Sequence, residues 1–125
     1  MIVDIFVLLV AFQVKHFLAD YIYQDAYMLG KFKEKGWVLP LLSHVLFHGL
    51  FTLVIAAYYV TNGWVVLGLA VFDMVVHFIM DRIKASPKML GRYNTTQKEF
   101  WWSLGLDQMV HHLTHYSIIA LIILL

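Results

Sequence analysis

The 125-residue chain contains no cysteine. Disulfides, thiolate metal ligands and cysteine nucleophiles are therefore excluded whatever the compartment, and any metal site must be built from nitrogen and oxygen. Charge is scarce as well: charged residues make up 14% of the chain against 62% hydrophobic, with a net charge of +1. So mild a balance, with its basic residues grouped beside apolar stretches, sets nucleic-acid binding aside. At a mean hydropathy of +0.75, a soluble domain of this length has no interior large enough to hide the apolar surface. The chain reads as an integral membrane protein. Met1 to Tyr23 opens with Asp4, without a basic start and without a small-x-small cleavage site, so it is expected to be a retained transmembrane helix and not a leader.

Four apolar segments, 3–24, 39–60, 64–84 and 102–124, each approach the ~20 residues that a ~30 Å hydrocarbon core requires. The expected fold is all-α, an integral membrane four-helix bundle forming a single transmembrane domain over residues 1–125. Thr61-Asn62-Gly63 is a tight turn, whereas 25–38 and 83–101 are longer polar connections. Lys31, Lys33 and Lys35 lie in the first and Arg82, Lys84, Lys88, Arg92 and Lys98 in or beside the last, which places both long loops in the cytoplasm and both termini outside. Trp37, Trp101 and Trp102 would form the inner aromatic belt, and Tyr58, Tyr59 and Trp64 the outer one.

Sliding the chain over itself aligns HFLADYIYQDAYMLGKF (16–32) with HFIMDRIKASPKMLGRY (77–93) without a gap. Each copy then runs into a helix bearing H-x-x-x-H, His44/His48 and His111/His115. The unit is a helix hairpin used twice, over 3–60 and 64–124. Because a two-helix unit returns the chain to its starting side, the copies must be parallel, related by a pseudo-two-fold axis along the membrane normal.

Seven histidines and eight acids occur in the chain, and ten of them fall in four runs at four-residue spacing. The runs are His16/Asp20, His44/His48, Asp73/His77/Asp81 and Asp107/His111/His115. Such spacing stacks side chains on one helix face. All four stripes fall roughly 10–15 Å from the cytoplasmic ends of their helices. A single ionised Asp in mid-membrane costs about 2.5–3.5 kcal/mol, and Lys15 and Arg82 are too few to balance four. A divalent metal, one ion or two, can neutralise the acids and engage the imidazoles. Zinc is favoured, with manganese and iron as alternatives.

On this reading His16, Asp20, His44, His48, His77, Asp81, His111 and His115 are the ligands. Asp73 and Asp107 break the repeat, since Phe12 and Pro40 stand at the matching positions, and are the candidate catalytic carboxylates. His112 and Gln108 are expected as hydrogen-bonding neighbours behind the ligands. The competing reading is a purely structural interhelical hydrogen-bond network. The two M-L-G-[KR]-[FY] loops are equally open: Gly30 and Gly91 as helix caps with basic anchors, or Lys31 and Arg92 as receivers of an anionic headgroup.

The H-F-x-x-D helix, the S-H-x-x-x-H helix (Ser43, His44, His48), the D-x-x-x-H-x-x-x-D-x-x-K helix (Asp73, His77, Asp81, Lys84) and the D-Q-x-x-H helix (Asp107, Gln108, His111, then His115) together resemble the small bacterial and phage membrane proteins of domain of unknown function family 3307. The resemblance covers nearly the whole chain and implies membrane location and a bacterial or phage source. The His/Asp runs are also similar to those of polytopic proteins classed as membrane-bound metal-dependent hydrolases.

The function expected first is a metal-dependent hydrolase acting at the cytoplasmic face on a lipid or lipid-linked phosphoester or acyl substrate. A di-iron oxidase or desaturase, suggested by the histidine boxes, and a proton or metal-ion transporter are the alternatives. For transport, four short helices leave little room for alternating access, which a homo-oligomer would supply.

Overall fold

The computed structural model describes all 125 residues. The chain is all-helical, with α1 at Ile2–Phe17, α2 at Val38–Tyr59, α3 at Gly63–Ala85 and α4 at Lys98–Leu124. Three of the four fall within two residues of the starts expected from hydropathy. The fourth begins earlier, because Asn94 N–H donates to Gln97 Oε1 (2.9 Å) and Thr96 N–H to Asn94 Oδ1 (3.0 Å), a local turn that launches the helix before its apolar stretch. Asn62 starts α3 as its N-cap, its Oδ1 accepting from the Trp64 and Val65 N–H groups at 3.0 and 3.4 Å.

Helix α1 does not end as an α-helix. It continues into a π-helical turn, Leu18–Ile22, closed by a Tyr23 N–H to Leu18 carbonyl bond of 2.8 Å. Such turns admit an extra residue and occur frequently at functional sites. This one carries Asp20.

Each long connection contains a 3₁₀ turn, Met28–Phe32 and Leu90–Arg92. Neither of their glycines is a left-handed cap: Gly36 alone has positive φ, at 72°. They are small because the chain passes close by. A Cβ on Gly30 would come within 2.8 Å of Pro40 Cγ, and one on Gly91 would strike the Ala85 and Ser86 carbonyls.

The two long connections meet at one end of the molecule. The Arg82 guanidinium, at the end of α3, donates to the Lys31 and Lys33 carbonyls (2.9 and 3.0 Å) and lies 4.0 Å over the Trp37 ring. Lys88 and Glu34 pair across the loops at 3.5 Å. Around the bundle α1 packs on α2 and α4, and α3 packs on the same two.

The interior divides into two levels. Toward the termini and the short turn, Leu8, Phe12, Ala56, Val66, Leu69, Ile118, Ile119 and Ile122 form a continuous apolar core. Toward the long connections, beside buried apolar residues such as Leu41, Val45 and Met80, lie most of the buried polar side chains: His16, His44, His48, His77, Asp81, Asp107, His111 and His115. Outward faces are apolar, as at Phe6, Val10, Leu50, Val54, Val75 and Ile79, all exposed. Three segments, Ile2–Ile22, Val38–Tyr59 and the one beginning at Gly63, are long and apolar enough to cross a membrane. At 27 residues α4 is the longest helix, but Asp107, Gln108, His111, His112 and His115 interrupt it and it is not among the three. In lipid, packing an apolar face against another helix gains little from the hydrophobic effect, so close packing and the polar level must hold these helices together.

A candidate metal centre

Because four-residue spacing keeps a stripe on one helix face, the four stripes converge when the helices close around a common interior. From the first hairpin, Asp20 Oδ1 lies 2.7 Å from His48 Nε2 and 3.2 Å from His44 Nε2, while Asp20 Oδ2 lies 3.2 Å from His16 Nε2. From the second, His111 Nε2 lies 3.1 Å from Asp81 Oδ1 and 2.9 Å from Asp107 Oδ1. His44 links the two sets, with its Nε2 also 3.2 Å from Asp81 Oδ2. The His77 ring sits between them, stacked at 3.9 Å on His48 and 3.8 Å on His111. His115 closes the group 5.9 Å from the His16 ring. Seven of the eight ligand candidates therefore meet in one cage and all but half-buried Asp20 are buried, whereas His115 lies at its edge with Nε2 facing Lys15 Nζ at 3.0 Å, and Asp107 stands among the donors in its place.

Three subsets can each present donor atoms within 4.8 Å of one another: His16/Asp20/His77, Asp20/His44/His48 and Asp81/Asp107/His111. Two ligands at ~2.0–2.1 Å from one tetrahedral ion lie about 3.3 Å apart, a separation these groups could adopt around an ion. The donor set also fits. Several deeply buried cage atoms have no hydrogen-bond partner: His16 Nδ1, both His44 nitrogens, His48 Nδ1, His77 Nε2, His111 Nδ1 and Asp81 Oδ2. Each buried, unsatisfied polar atom costs about 1–3 kcal/mol, and imidazole and carboxylate donors without sulfur suit zinc, manganese or iron.

Cations are more plentiful than the sequence suggested. Lys15, 1% exposed, places Nζ 2.6 Å from Asp73 Oδ2 and 3.0 Å from His115 Nε2. Lys31 reaches to 3.5 Å from Asp81 Oδ2 and Lys84 to 3.4 Å from Asp107 Oδ2. Three of the four acids thus have a lysine, and only Asp20 relies on imidazoles alone. Lys15 points inward because it shares a helix face with the core residues Leu8 and Phe12. Lys31 returns over the cage because its 3₁₀ turn folds back, and Lys84 stands about one turn beyond Asp81.

Asp73 is enclosed. Its Oδ1 accepts from His77 Nδ1 (3.0 Å), and its Oδ2 accepts from Lys15 and from the Thr52 hydroxyl. Asp107 is looser: besides His111, its Oδ2 accepts from Gln108 Nε2 (3.0 Å) and faces Lys84, which is 27% exposed. Gln108 turns its Oε1 to His16 Nε2 at 2.8 Å, as expected of a supporting neighbour, and His112 lies beside it, paired with Gln13 at 3.3 Å. Lys31 and Arg92 behave differently. Lys31 is buried against the cage, whereas Arg92 is exposed and hydrogen-bonds the neighbouring Tyr93 hydroxyl at 2.8 Å.

Sequence reasoning missed Thr52, and it counted Lys15 among the available cations without placing it on Asp73. The signal for Thr52 was its position, continuing the His44/His48 run by another four residues; for Lys15 it was a lone charge on the core face of an apolar helix. Outside the cage, apolar grooves of about 370 Å³ between α1 and α4 (including Leu9, Tyr116 and Ile119) and about 250 Å³ between α2 and α3 (including Val45, Met74 and Phe78) mark the outer surface.

A family model described as "Protein of unknown function (DUF3307)" matches residues 8–125. Comparison with curated proteins and with solved structures gave no match.

Proposed function

The chain belongs to this family of unknown function, DUF3307, and from the cage it carries we propose that it is a membrane-embedded, metal-dependent hydrolase. The observation that carries the reading is the convergence of buried carboxylates with imidazoles whose remaining ring nitrogens have no hydrogen-bond partner, His16 Nδ1, His48 Nδ1, His77 Nε2 and His111 Nδ1 among them. One or two divalent ions, zinc first, would be held by His16, Asp20, His44, His48, His77, Asp81 and His111. Such an ion supplies Lewis-acid polarisation of the scissile group and lowers the pKa of water toward ~7.

The chain's own residues divide the remaining work. Asp107, beside the partly exposed Lys84, is the carboxylate best placed to take and return a proton at the edge of the cage. Asp73 was the other candidate, but its oxygens already accept from His77, Lys15 and Thr52, so this reading gives the proton step to Asp107. Lys84 and Lys31 supply positive charge toward an anionic substrate group, and Gln108 orients His16. Arg92 acts instead as a membrane anchor.

The reading extends to topology. The lysine-bearing connections meet at one end of the bundle, and the positive-inside rule makes that end cytoplasmic, with α4 as a fourth span. The substrate is then a lipid or lipid-linked phosphoester or acyl group at the cytoplasmic face of a bacterial membrane. The matched 3₁₀ turns support two tandem hairpins. A transmembrane ion or proton path fits less well, because the apolar core from Leu8 to Ile122 occupies the whole interior level beyond Lys15 and Thr52. Iron, held by the same donors, would point to oxygen chemistry instead.

The test is elemental analysis of tag-free, detergent-purified protein beside Asp81→Ala, followed by turnover of lipid phosphoesters and acyl esters by Asp107→Asn. One or two equivalents of zinc or manganese, lost in Asp81→Ala, with turnover abolished in Asp107→Asn, is the expected result. Folded protein that takes up no metal after reconstitution overturns the reading.

A further inference from the structure

The buried residues behind the cage are unlike in the two halves of the chain. His77 commits Nδ1 to Asp73 Oδ1 at 3.0 Å. A carboxylate can only accept, so the proton of the ring lies on Nδ1 and the lone pair on Nε2. Asp73 is in turn fixed by Lys15 Nζ at 2.6 Å and by the Thr52 hydroxyl. All four side chains are buried, with Asp73, His77 and Thr52 at 0% exposure. His77 cannot tilt out of this arrangement, because His48 and His111 stack on its two faces at 3.9 and 3.8 Å. The one atom of the ring left without a partner is Nε2.

The sequence alignment of the halves places Phe12 opposite Asp73, Val76 opposite Lys15 and Ile119 opposite Thr52. All three polar supports are thus replaced by apolar residues on the other side, where Phe12 packs on His115 at 5.0 Å between ring centres. His16, the partner of His77 in the alignment, is held by Gln108 and Asp20 and has no equivalent of the Lys-Asp pair.

We propose that Lys15 and Thr52 are positioning residues that act through Asp73 to fix His77 in a single tautomer, Nδ1–H, with its Nε2 lone pair held in the cage. The consequence for metal affinity rests on the metal reading above; the tautomer does not. On that reading His77 is a preset ligand of the group it forms with His16 and Asp20, and that group owes part of its metal affinity to the support behind His77. Carboxylate partners of ligating histidines commonly alter metal affinity 10–100-fold when removed.

The first measurement is the ¹⁵N spectrum of His-labelled wild type without metal, assigned with His77→Gln. A protonated Nδ1 and an unprotonated Nε2 at His77 are expected; the reverse tautomer, or rapid exchange between both, overturns the proposal. The second is zinc affinity by chelator competition for Lys15→Met, Thr52→Val and the paired variant Lys15→Met/Asp73→Asn. The paired variant leaves no lone buried charge and so keeps a folded sample available. It is expected to bind zinc 10–100-fold more weakly than wild type at unchanged saturating stoichiometry, with Thr52→Val in between. Wild-type affinity in the folded paired variant would show that Lys15 and Asp73 merely neutralise one another, and the positioning role falls. If wild type takes up no zinc yet shows His77 as Nδ1–H, the proposed function fails and the orientation of His77 stands.

Discussion

Removing the Lys15 ammonium tests the energetic account of the polar level most directly. At 2.6 Å from Asp73 Oδ2, two unit charges attract by about 6 kcal/mol at an effective dielectric constant of ~20. Desolvation of both ions cancels much of that in the intact protein, but Lys15→Met removes the attraction and leaves a carboxylate at 0% exposure with only Thr52 and His77. Breaking one partner of a buried pair costs about 3–5 kcal/mol. Thr52→Val, which removes one hydrogen bond to the same carboxylate, should cost about 1.5–3 kcal/mol. In the double variant Lys15→Met/Asp73→Asn the orphaned charge is gone and most of the loss should be recovered. The assay is equilibrium unfolding in detergent micelles or bicelles, reported as a double-mutant cycle. Destabilisation by Lys15→Met of under ~1 kcal/mol, or a double variant no more stable than the single, would mean that Lys15 reaches water or that Asp73 is not ionised, and the reasoning fails.

Other outcomes follow from the same structure. Stripping metal with a strong chelator should lower the unfolding temperature of wild type in a way that added zinc reverses, read by differential scanning fluorimetry, because the unpartnered cage atoms would then be left unsatisfied. Gly91→Ala should be more damaging than Gly30→Ala, since its Cβ meets fixed backbone carbonyls of Ala85 and Ser86 whereas the Gly30 Cβ meets a proline ring; the two melting temperatures compare them. Phe12→Ala, opening a cavity at a side chain that is 1% exposed, should cost about 3–5 kcal/mol in the same unfolding assay while leaving metal stoichiometry unchanged. Arg82→Lys should loosen the first connection, losing the paired bonds to the Lys31 and Lys33 carbonyls and the stacking on Trp37, visible as faster proteolysis within residues 25–37.

The sequence by itself determined the helices, because apolar runs of membrane length separated by polar connections leave the backbone no other way to satisfy its hydrogen bonds. It also determined which helix faces are polar: four-residue spacing puts His16, His44, His77 and His111 each on one face, and similar depth on four helices brings those faces to one level. Four things were decided only in three dimensions. Asp20 sits in a π turn, which nothing in the local sequence announces. Lys15 could be counted as a cation near the spans, but its pairing with Asp73 came from α1 packing with Leu8 and Phe12 inward, and Lys31 and Lys84 reached the acids only because of how their segments fold over the cage. Lys31 and Arg92 are equivalent in the aligned repeat, yet one is buried and one exposed. The two candidate carboxylates, alike in sequence as exceptions to the repeat, differ in surroundings: Asp73 is closed in by three donors and Asp107 opens toward Lys84. Sequence spacing fixes which face of a helix a residue occupies, but the partners it meets there come from other helices, and those depend on rotation and packing that periodicity does not encode.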